Sequence, residues 1–600
     1  MPLLFGLIAA GTLMFFGGVM LRRGAPAAVS GDGGVYADAP VPRAEPASPA
    51  SRPARRMSAE RRGDLLAWLG YTALYVVVGA YIVLGRHIVA GDAAARVAQA
   101  WYVIASRDPH LAAIGFVWNP LPSLLEIPLV ALRGIWPALS QDTFAGTIVS
   151  AVFMASAVVH LRACLREMHA SNAVSIMLTA GTALSPMVIM YGANGMSEAM
   201  YLCFLLGAVR YLMRWTVNGQ VRALVWTACY LALAVLTRYE AVAAIAAVTV
   251  VVFAVGSMAR DHDRPIRERA LGGLSDALVV ALPPLTAFVA WCVVSWVIVG
   301  DAFVQFNSRY GNASILQASG GSSTGAGLHP LVFALEQTFA YAPVGLAIGV
   351  GGVVVAWLRR DRRYLALVAL AAPLVFSLGA YAHGGTFGLF RYYIPALPLA
   401  FLAVALLLHP RRGMRPPAPS WLAPGSTGAL LMVFVVVLSS FMATTAAVAS
   451  ARLAPTDQPV VSQLFHSTSS AKTLTYTDLL DSGASMAHAI DKYGLASGSI
   501  AMDTFDCGFM VLLNSANPHQ FVITSDRDFE RIVADPVAFH VPYVLVPDAD
   551  TGIDAISVAH PGIFNGGTVD GFDTKVIATF HTPACPDYRL IQIVNDQGLR

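Results

Sequence analysis

The sequence predicts a polytopic α-helical membrane protein with an α/β domain at its C-terminus, and three observations carry that reading. Hydrophobic residues make up 56% of the chain and charged residues only 12%, with a mean hydropathy of +0.61, so the chain cannot supply the polar exterior of a water-soluble globule. Apolar runs long enough to cover a hydrocarbon core of about 30 Å, which takes about 20 helical residues, recur between short Arg-rich or Gly/Asn-rich connections. Residues 451–600, by contrast, have an ordinary soluble composition. The apolar runs lack the alternation of barrel strands, so a helical bundle of about 11–13 crossings is expected. The net charge of +3 says less than its distribution: nearly every basic residue is Arg, with Lys only at Lys472, Lys492 and Lys575, a usage that points to a GC-rich bacterial genome.

Taken in order, Leu3 to Met20 is an apolar run with no basic residue before it and Arg22-Arg23 directly after it, which reads as an uncleaved anchor over residues 1–21 with its amino end outside. Residues 22–64 are rich in Ala, Pro and Arg without apolar periodicity, the composition of a disordered linker. Arg55, Arg56, Arg61 and Arg62 hold that linker in the cytoplasm as a solvated charge run, with contact to anionic membrane lipids as the alternative. The span Leu65 to Leu84 then exits outward and delivers Asp92 to the extracytoplasmic side, and Asp92 to Ser106 carries apolar residues at helical spacing, as for a helix lying flat at the interface. Arginines at 162 and 166, 210–222, 260–269, 359–363 and 411–415 fall at every second connection, as the positive-inside rule requires. That parity holds only if Val117 to Gly134 does not cross. Asn119-Pro120-Leu121-Pro122 agrees, because two prolines remove backbone donors where a regular helix would enter lipid.

The opposite connections share the outer face: Gly195-Met196-Ser197-Glu198, Arg238-Tyr239-Glu240, Asp301 to Pro330, and His383 to Arg391. Ala223 to Val255 is too long for one crossing and fits two short ones, so Arg238-Tyr239-Glu240 should cap a tight hairpin. After the last span, Gly428 to Val448, the runs Ser499 to Met502, Gln520 to Thr524, Tyr543 to Pro547, Lys575 to Phe580 and Tyr588 to Val594 read as strands, separated by helical stretches such as Thr475 to Tyr493. Cys507 and Cys585 lie in this tail, and an oxidising exterior makes them a candidate disulfide.

An ionisable group at a helix centre in the bilayer costs about 2.5–3.5 kcal/mol, so those kept beside spans have a partner or a role. Asp92, Glu198, Arg238, Glu240 and Arg391 all answer that description. Arg binds phosphate through forked donors, which suits Arg238 or Arg391 to a lipid phosphate; a snorkelling Arg–Glu pair and an anchored aromatic belt are the plainer readings of the same residues. The scattered His87, His110 and His383 lack ligand spacing and read as interfacial polar groups. Asp503-Thr504-Phe505-Asp506-Cys507 and Asp526-Arg527-Asp528 read as acidic strand-end turns. The loop Asp301 to Pro330, with its Gly/Ser run from Ser319 to Gly327, is either a gate or a plain connector.

Five short motifs together resemble the GT-C superfamily of polytopic glycosyltransferases, whose members include protein mannosyltransferase and aminoarabinose transferase relatives. They are Asp92 in the first outer loop, Trp118-Asn119-Pro120-Leu121-Pro122, Gly195-Met196-Ser197-Glu198, Thr237-Arg238-Tyr239-Glu240, and Arg391-Tyr392-Tyr393 before Pro395. The resemblance implies a transmembrane catalytic domain over residues 65–450; by the charge parity the last span ends outside, so the α/β region 451–600 is expected as an extracytoplasmic accessory domain, and the Arg usage points to a bacterial plasma membrane. The resemblance also implies inverting transfer of a sugar from a polyprenyl-phosphate donor to a glycan, glycolipid or protein acceptor. Asp92 would be general base, Arg238 or Arg391 would hold the lipid phosphate, Glu198 and Glu240 would bind sugar hydroxyls or hold the arginines, and Tyr239, Tyr392 and Asn119 would bind substrate. Many members pair two acids in the first loop, whereas Asp92 is followed by Ala93-Ala94-Ala95, so a divalent metal cofactor is not supported by that motif. No glycine-rich phosphate loop follows a strand, and no nucleic-acid partner is expected. A transporter or lipid flippase for an envelope precursor is the main alternative, and a non-catalytic envelope scaffold the third.

Overall fold

A computed structural model describes residues 59–258, 265–318, 328–408, 426–465, 478–548 and 553–594. The expected anchor Leu3 to Met20, most of the linker, the Gly/Ser run and the arginines at 411–415 lie outside the described residues. Among the described residues, seven helices are long and apolar enough to cross a membrane: 60–85, 144–167, 241–258, 266–299, 362–382, 390–407 and 427–448. Two bent pairs raise this to nine if each is one span. Both bends have a proline cause. Pro186 and Pro343 each occupy the first turn of the second helix, where the missing N–H costs nothing but the preceding helix cannot continue, and the pairs bend by 58° and 89°. Leu66, Val77, Val250, Val350 and Met442 face outward, as lipid-facing positions do, and the chain is an integral membrane protein.

Arg238-Tyr239-Glu240 does cap a hairpin, between the helices Val221–Val235 and Ala241–Met258. The helix Gly91–Ala105 forms where an interfacial helix was expected. In the 117–134 segment only Leu121–Val130 is α-helical, and at 10 residues, about 15 Å, it is too short to cross.

The C-terminal region holds one six-stranded sheet built from β1 (Ile500–Met502), β2 (Phe521–Ile523), β3 (Tyr543–Pro547), β4 (Gly567–Val569), β5 (Phe572–Phe580) and β6 (Tyr588–Val594), in the order β2-β1-β3-β6-β5-β4. β1, β2 and β3 are parallel and fully or nearly fully buried, whereas β6, β5 and β4 add antiparallel. β4 escapes the sequence reading because Gly567-Thr568-Val569 is short, half polar and exposed. Cys507 and Cys585 are joined by a disulfide, with Cα atoms 5.9 Å apart. The sheet region rests on the bundle through a shared apolar core, in which Val97, Tyr102 and Phe144 meet Met510, Leu512 and Phe521. Polar clamps surround that core. Arg107 binds Asp526 at 3.1 Å and also Asp528, Arg133 donates to the Leu513 carbonyl at 2.8 Å, and the Tyr310 hydroxyl donates to Asp503 at 2.7 Å.

Candidate active site

Five ionisable residues from four distant stretches meet at one end of the bundle. Asp92 occupies the first turn of Gly91–Ala105, where the helix N-terminus favours a negative charge. Its Oδ2 accepts a hydrogen bond of 2.7 Å from Nη2 of Arg391, which stands on the single 3-10 turn Phe390–Tyr393 ahead of Pro395. Arg391 Nε lies 3.4 Å from Oε1 of Glu198, and the same Oε1 accepts from Arg238 Nη1 at 2.6 Å. Arg238 then closes on Glu240 with both sides of its fork, at 2.8 and 3.3 Å. The result is an alternating chain of acid, base, acid, base, acid, in which each buried charge has an opposite neighbour. The ring of Tyr392 lies beneath both guanidiniums, 5.2 Å from Arg238 and 5.7 Å from Arg391.

Gly195 explains how Glu198 reaches this position. Its φ of +79° belongs to the left-handed region, and a Cβ there would stand 3.2 Å from the Ala93 Cβ and 3.3 Å from the Gly146 Cα. Only glycine lets the turn between Pro186–Ala193 and Glu198–Asn218 press against both neighbouring helices. Glu198 therefore starts its helix buried, 1% exposed, and its Oε2 has no hydrogen-bond partner among the described residues.

A cavity of about 370 Å³ opens between the bundle and the C-terminal region. Asp92 and Arg391 line it, together with Tyr191, Asn194, Asp457 and Asp506. Of the residues singled out in the sequence, Glu198, Arg238, Glu240 and Tyr392 stand behind this wall. Tyr239 and Asn119 brace it instead. The Tyr239 hydroxyl donates to the Val117 carbonyl at 3.2 Å, and Asn119 Nδ2 donates to the Val235 carbonyl at 2.6 Å, so both tie the 117–134 segment to the hairpin. His87 and His110 bond Asp481 and the Asp108 carbonyl, away from the cavity lining.

Two acids that sequence reading passed over complete the cavity. Asp457 sits in the turn after the span 427–448, 4% exposed, and its Oδ1 accepts from the Tyr191 hydroxyl at 2.6 Å. The signal was present, since an acid close behind a span is the rule that picked out Asp92. Asp506, at φ +51°, belongs to the motif read as a strand-end turn, and the adjoining disulfide at Cys507 fixes it against the cavity. The three cavity acids differ in basicity. Burial pushes the Asp92 carboxyl up, but the guanidiniums of Arg391 and Arg96 outweigh it and hold the group below the usual range. Burial dominates at Asp457 and raises it to about 6, offset only in part by the Tyr191 hydrogen bond and Arg391. Burial and neighbouring Asp503 raise Asp506 to about 6. Behind the wall, Glu126 is buried with only the Arg96 charge to oppose desolvation, and its carboxyl rises to about 8. Among the described residues no three His, Cys, Asp or Glu side chains converge to hold a metal ion.

No protein-family model matches this chain, and no curated protein matches it by sequence. Solved structures do match by shape. The crystal structure of ArnT from Cupriavidus metallidurans bound to undecaprenyl phosphate aligns with 89% of this chain and 98% of its own at 13% identity, with a TM-score of 0.50. The oligosaccharyltransferase AglB from Archaeoglobus fulgidus, in complex with an inhibitory peptide and a dolichol-phosphate, aligns with 82% of this chain and 70% of its own at 11% identity and a TM-score of 0.44. At such identity the likeness to ArnT is one of fold alone: a helical membrane bundle followed by a C-terminal region.

Proposed function

We propose, with the GT-C fold as premise, that this protein is a membrane glycosyltransferase that moves a sugar from a polyprenyl-phosphate carrier to an acceptor hydroxyl, with inversion at the anomeric carbon. The reaction takes place on the extracytoplasmic face of a bacterial plasma membrane, the acceptor being an envelope glycan, glycolipid or protein. The observation that carries this reading is the Arg391–Asp92 pair on the cavity wall, a guanidinium and a carboxylate held 2.7 Å apart at the end of an integral-membrane bundle.

Arg391 is the better placed of the two arginines for phosphate. It lines the cavity, whereas Arg238 has its fork committed to Glu198 and Glu240. Arg391 thus stabilises the charge that develops on the departing phosphate, and Glu198, itself fixed by Arg238, holds Arg391 in place. Asp92 faces the acceptor and serves as its base, kept ionised by Arg391 and Arg96. The tilted contact of Tyr310 with Phe505, 5.8 Å between rings, supports a role for the 301–318 loop in shaping the acceptor side.

The test is transfer of radiolabelled sugar from a polyprenyl-phosphate donor pool, in membranes that hold wild type or Asp92→Asn at equal abundance. Labelled product lost in the variant is the expected result. Equal labelling in both, matching membranes without the protein, would remove the transferase reading and raise the alternative of a transporter or flippase.

A further inference from the structure

Asp92 has a chemical weakness as a base. Its Oδ2 is taken by Arg391, and the charges that keep it ionised also make it slow to accept a proton. Efficient proton transfer needs a group that is ionised near neutral pH yet basic enough to hold the proton, and it needs a free oxygen on the cavity. Asp457 meets the second requirement by geometry, and its burial raises it toward the first. It lines the same cavity as Asp92 and Arg391. Its Oδ1 is fixed by the Tyr191 hydroxyl at 2.6 Å, while among the described residues Oδ2 has only a long contact of 3.5 Å with its neighbour Thr456. It makes no salt bridge with Arg391, in contrast to Asp92.

We propose that Asp457 is a second catalytic carboxylate of this cavity, and that it takes the acceptor's proton while Asp92 orients the hydroxyl against Arg391. The inference rests on the transfer reading above and revises one role in it: Asp92 keeps the acceptor hydroxyl in place, and the base becomes Asp457. The acceptor oxygen forms its bond to the anomeric carbon. The bond from that carbon to the phosphate oxygen breaks, with its electron pair leaving on the phosphate beside Arg391. The hydroxyl proton passes to Oδ2 of Asp457, and no other reactant is required.

The surroundings of Asp457 set its response to pH. Tyr191 comes from Pro186–Ala193, Tyr341 from the end of Leu328–Tyr341, Glu198 from the start of Glu198–Asn218, and Arg391 from its 3-10 turn; Asp92 and Asp506 share the cavity. Glu198 and burial favour the protonated carboxyl, whereas the Tyr191 hydrogen bond and Arg391 favour the ionised one. A base at Asp457 therefore makes transfer fall as pH drops through about 6. A base at Asp92 leaves transfer level across that range, since Asp92 stays ionised below the usual carboxylate range.

The experiment is a pH profile of sugar transfer in membranes, for wild type, Asp457→Asn, Asp457→Glu and Tyr191→Phe, with undecaprenyl phosphate binding measured on each purified full-length chain. Wild type should lose transfer below about pH 6, and Asp457→Asn should transfer about 100-fold less at pH 7.5 while still binding undecaprenyl phosphate. Asp457→Glu should recover part of the activity and keep a pH-dependent profile. Tyr191→Phe removes the bond that favours the ionised form, so its midpoint should move to higher pH. Wild-type transfer in Asp457→Asn, or a wild-type profile level from pH 7.5 to 5, would overturn the assignment. Absence of transfer by wild type at every pH would instead strike the transferase reading, and this proposal with it.

Discussion

Glu198→Gln is the sharpest perturbation of the charge chain, because it removes one charge and almost no volume. Glu198 is 1% exposed and its Oε1 serves two guanidiniums, at 2.6 Å from Arg238 and 3.4 Å from Arg391. Two unit charges about 4 Å apart attract by about 4 kcal/mol at an effective dielectric of about 20, and the carboxylate's own desolvation takes back part of that. Breaking a buried pair from one side typically costs about 3–5 kcal/mol. The Gln carbonyl still accepts from Arg238, and the arginines retain Glu240 and Asp92, so the low end, about 3 kcal/mol, is expected here. That is roughly a 100-fold fall in the folded-to-unfolded ratio. The assay is equilibrium unfolding in detergent, alongside Glu198→Ala, which should cost more. Glu240→Gln should cost less, about 1.5 kcal/mol, because among the described residues Glu240 pairs with Arg238 alone and its side chain is 21% exposed. A Glu198→Gln protein that unfolds at the wild-type denaturant concentration would refute the claim that this carboxylate compensates both arginines.

Three further outcomes follow from the same geometry. Gly195→Ala forces a left-handed backbone on a Cβ that meets Ala93 and Gly146, a strain of about 1–3 kcal/mol that should appear as a lowered unfolding midpoint; a neutral result would mean that the two helices separate freely there. Arg391→Lys should not restore the undecaprenyl phosphate binding lost in Arg391→Ala, because an ammonium cannot serve Asp92, Glu198 and a phosphate with one planar fork; equal binding by Lys and Arg in a titration would contradict this. Asp503 is pushed up to about 6 by burial and by Asp554, so between the usual carboxylate range and pH 6 the folded state holds a proton that the unfolded state has released. Stability from this group is thus greatest below that window and declines as pH rises through it. Hydrogen exchange in β1 and β3 should be slower at pH 5 than at pH 7.5, after correction for intrinsic rates, and Asp503→Asn should shrink the difference.

The membrane bundle and the strands β3 and β6 were legible in the sequence because their signals are local. A span announces itself by length and hydropathy, a connection by Arg, and a buried strand by a run such as Tyr543 to Pro547. The 117–134 segment was likewise readable from Asn119-Pro120-Leu121-Pro122, since proline acts on its own backbone. That Asp92, Glu198, Arg238, Glu240 and Arg391 deserve attention also follows locally, because charge beside lipid is costly wherever it occurs. What they do to one another does not follow. Only the tertiary structure decided that Arg391 faces the cavity while Arg238 is held between Glu198 and Glu240, that Tyr239 and Asn119 tie the 117–134 segment to the hairpin, and that Asp457 and Asp506, far apart in the chain, share a cavity with Asp92. The physical reason is that hydropathy and helix-breaking act over a few residues. The basicity of a carboxylate depends instead on burial and on charges a few ångströms away, and those distances exist only once the chain has packed.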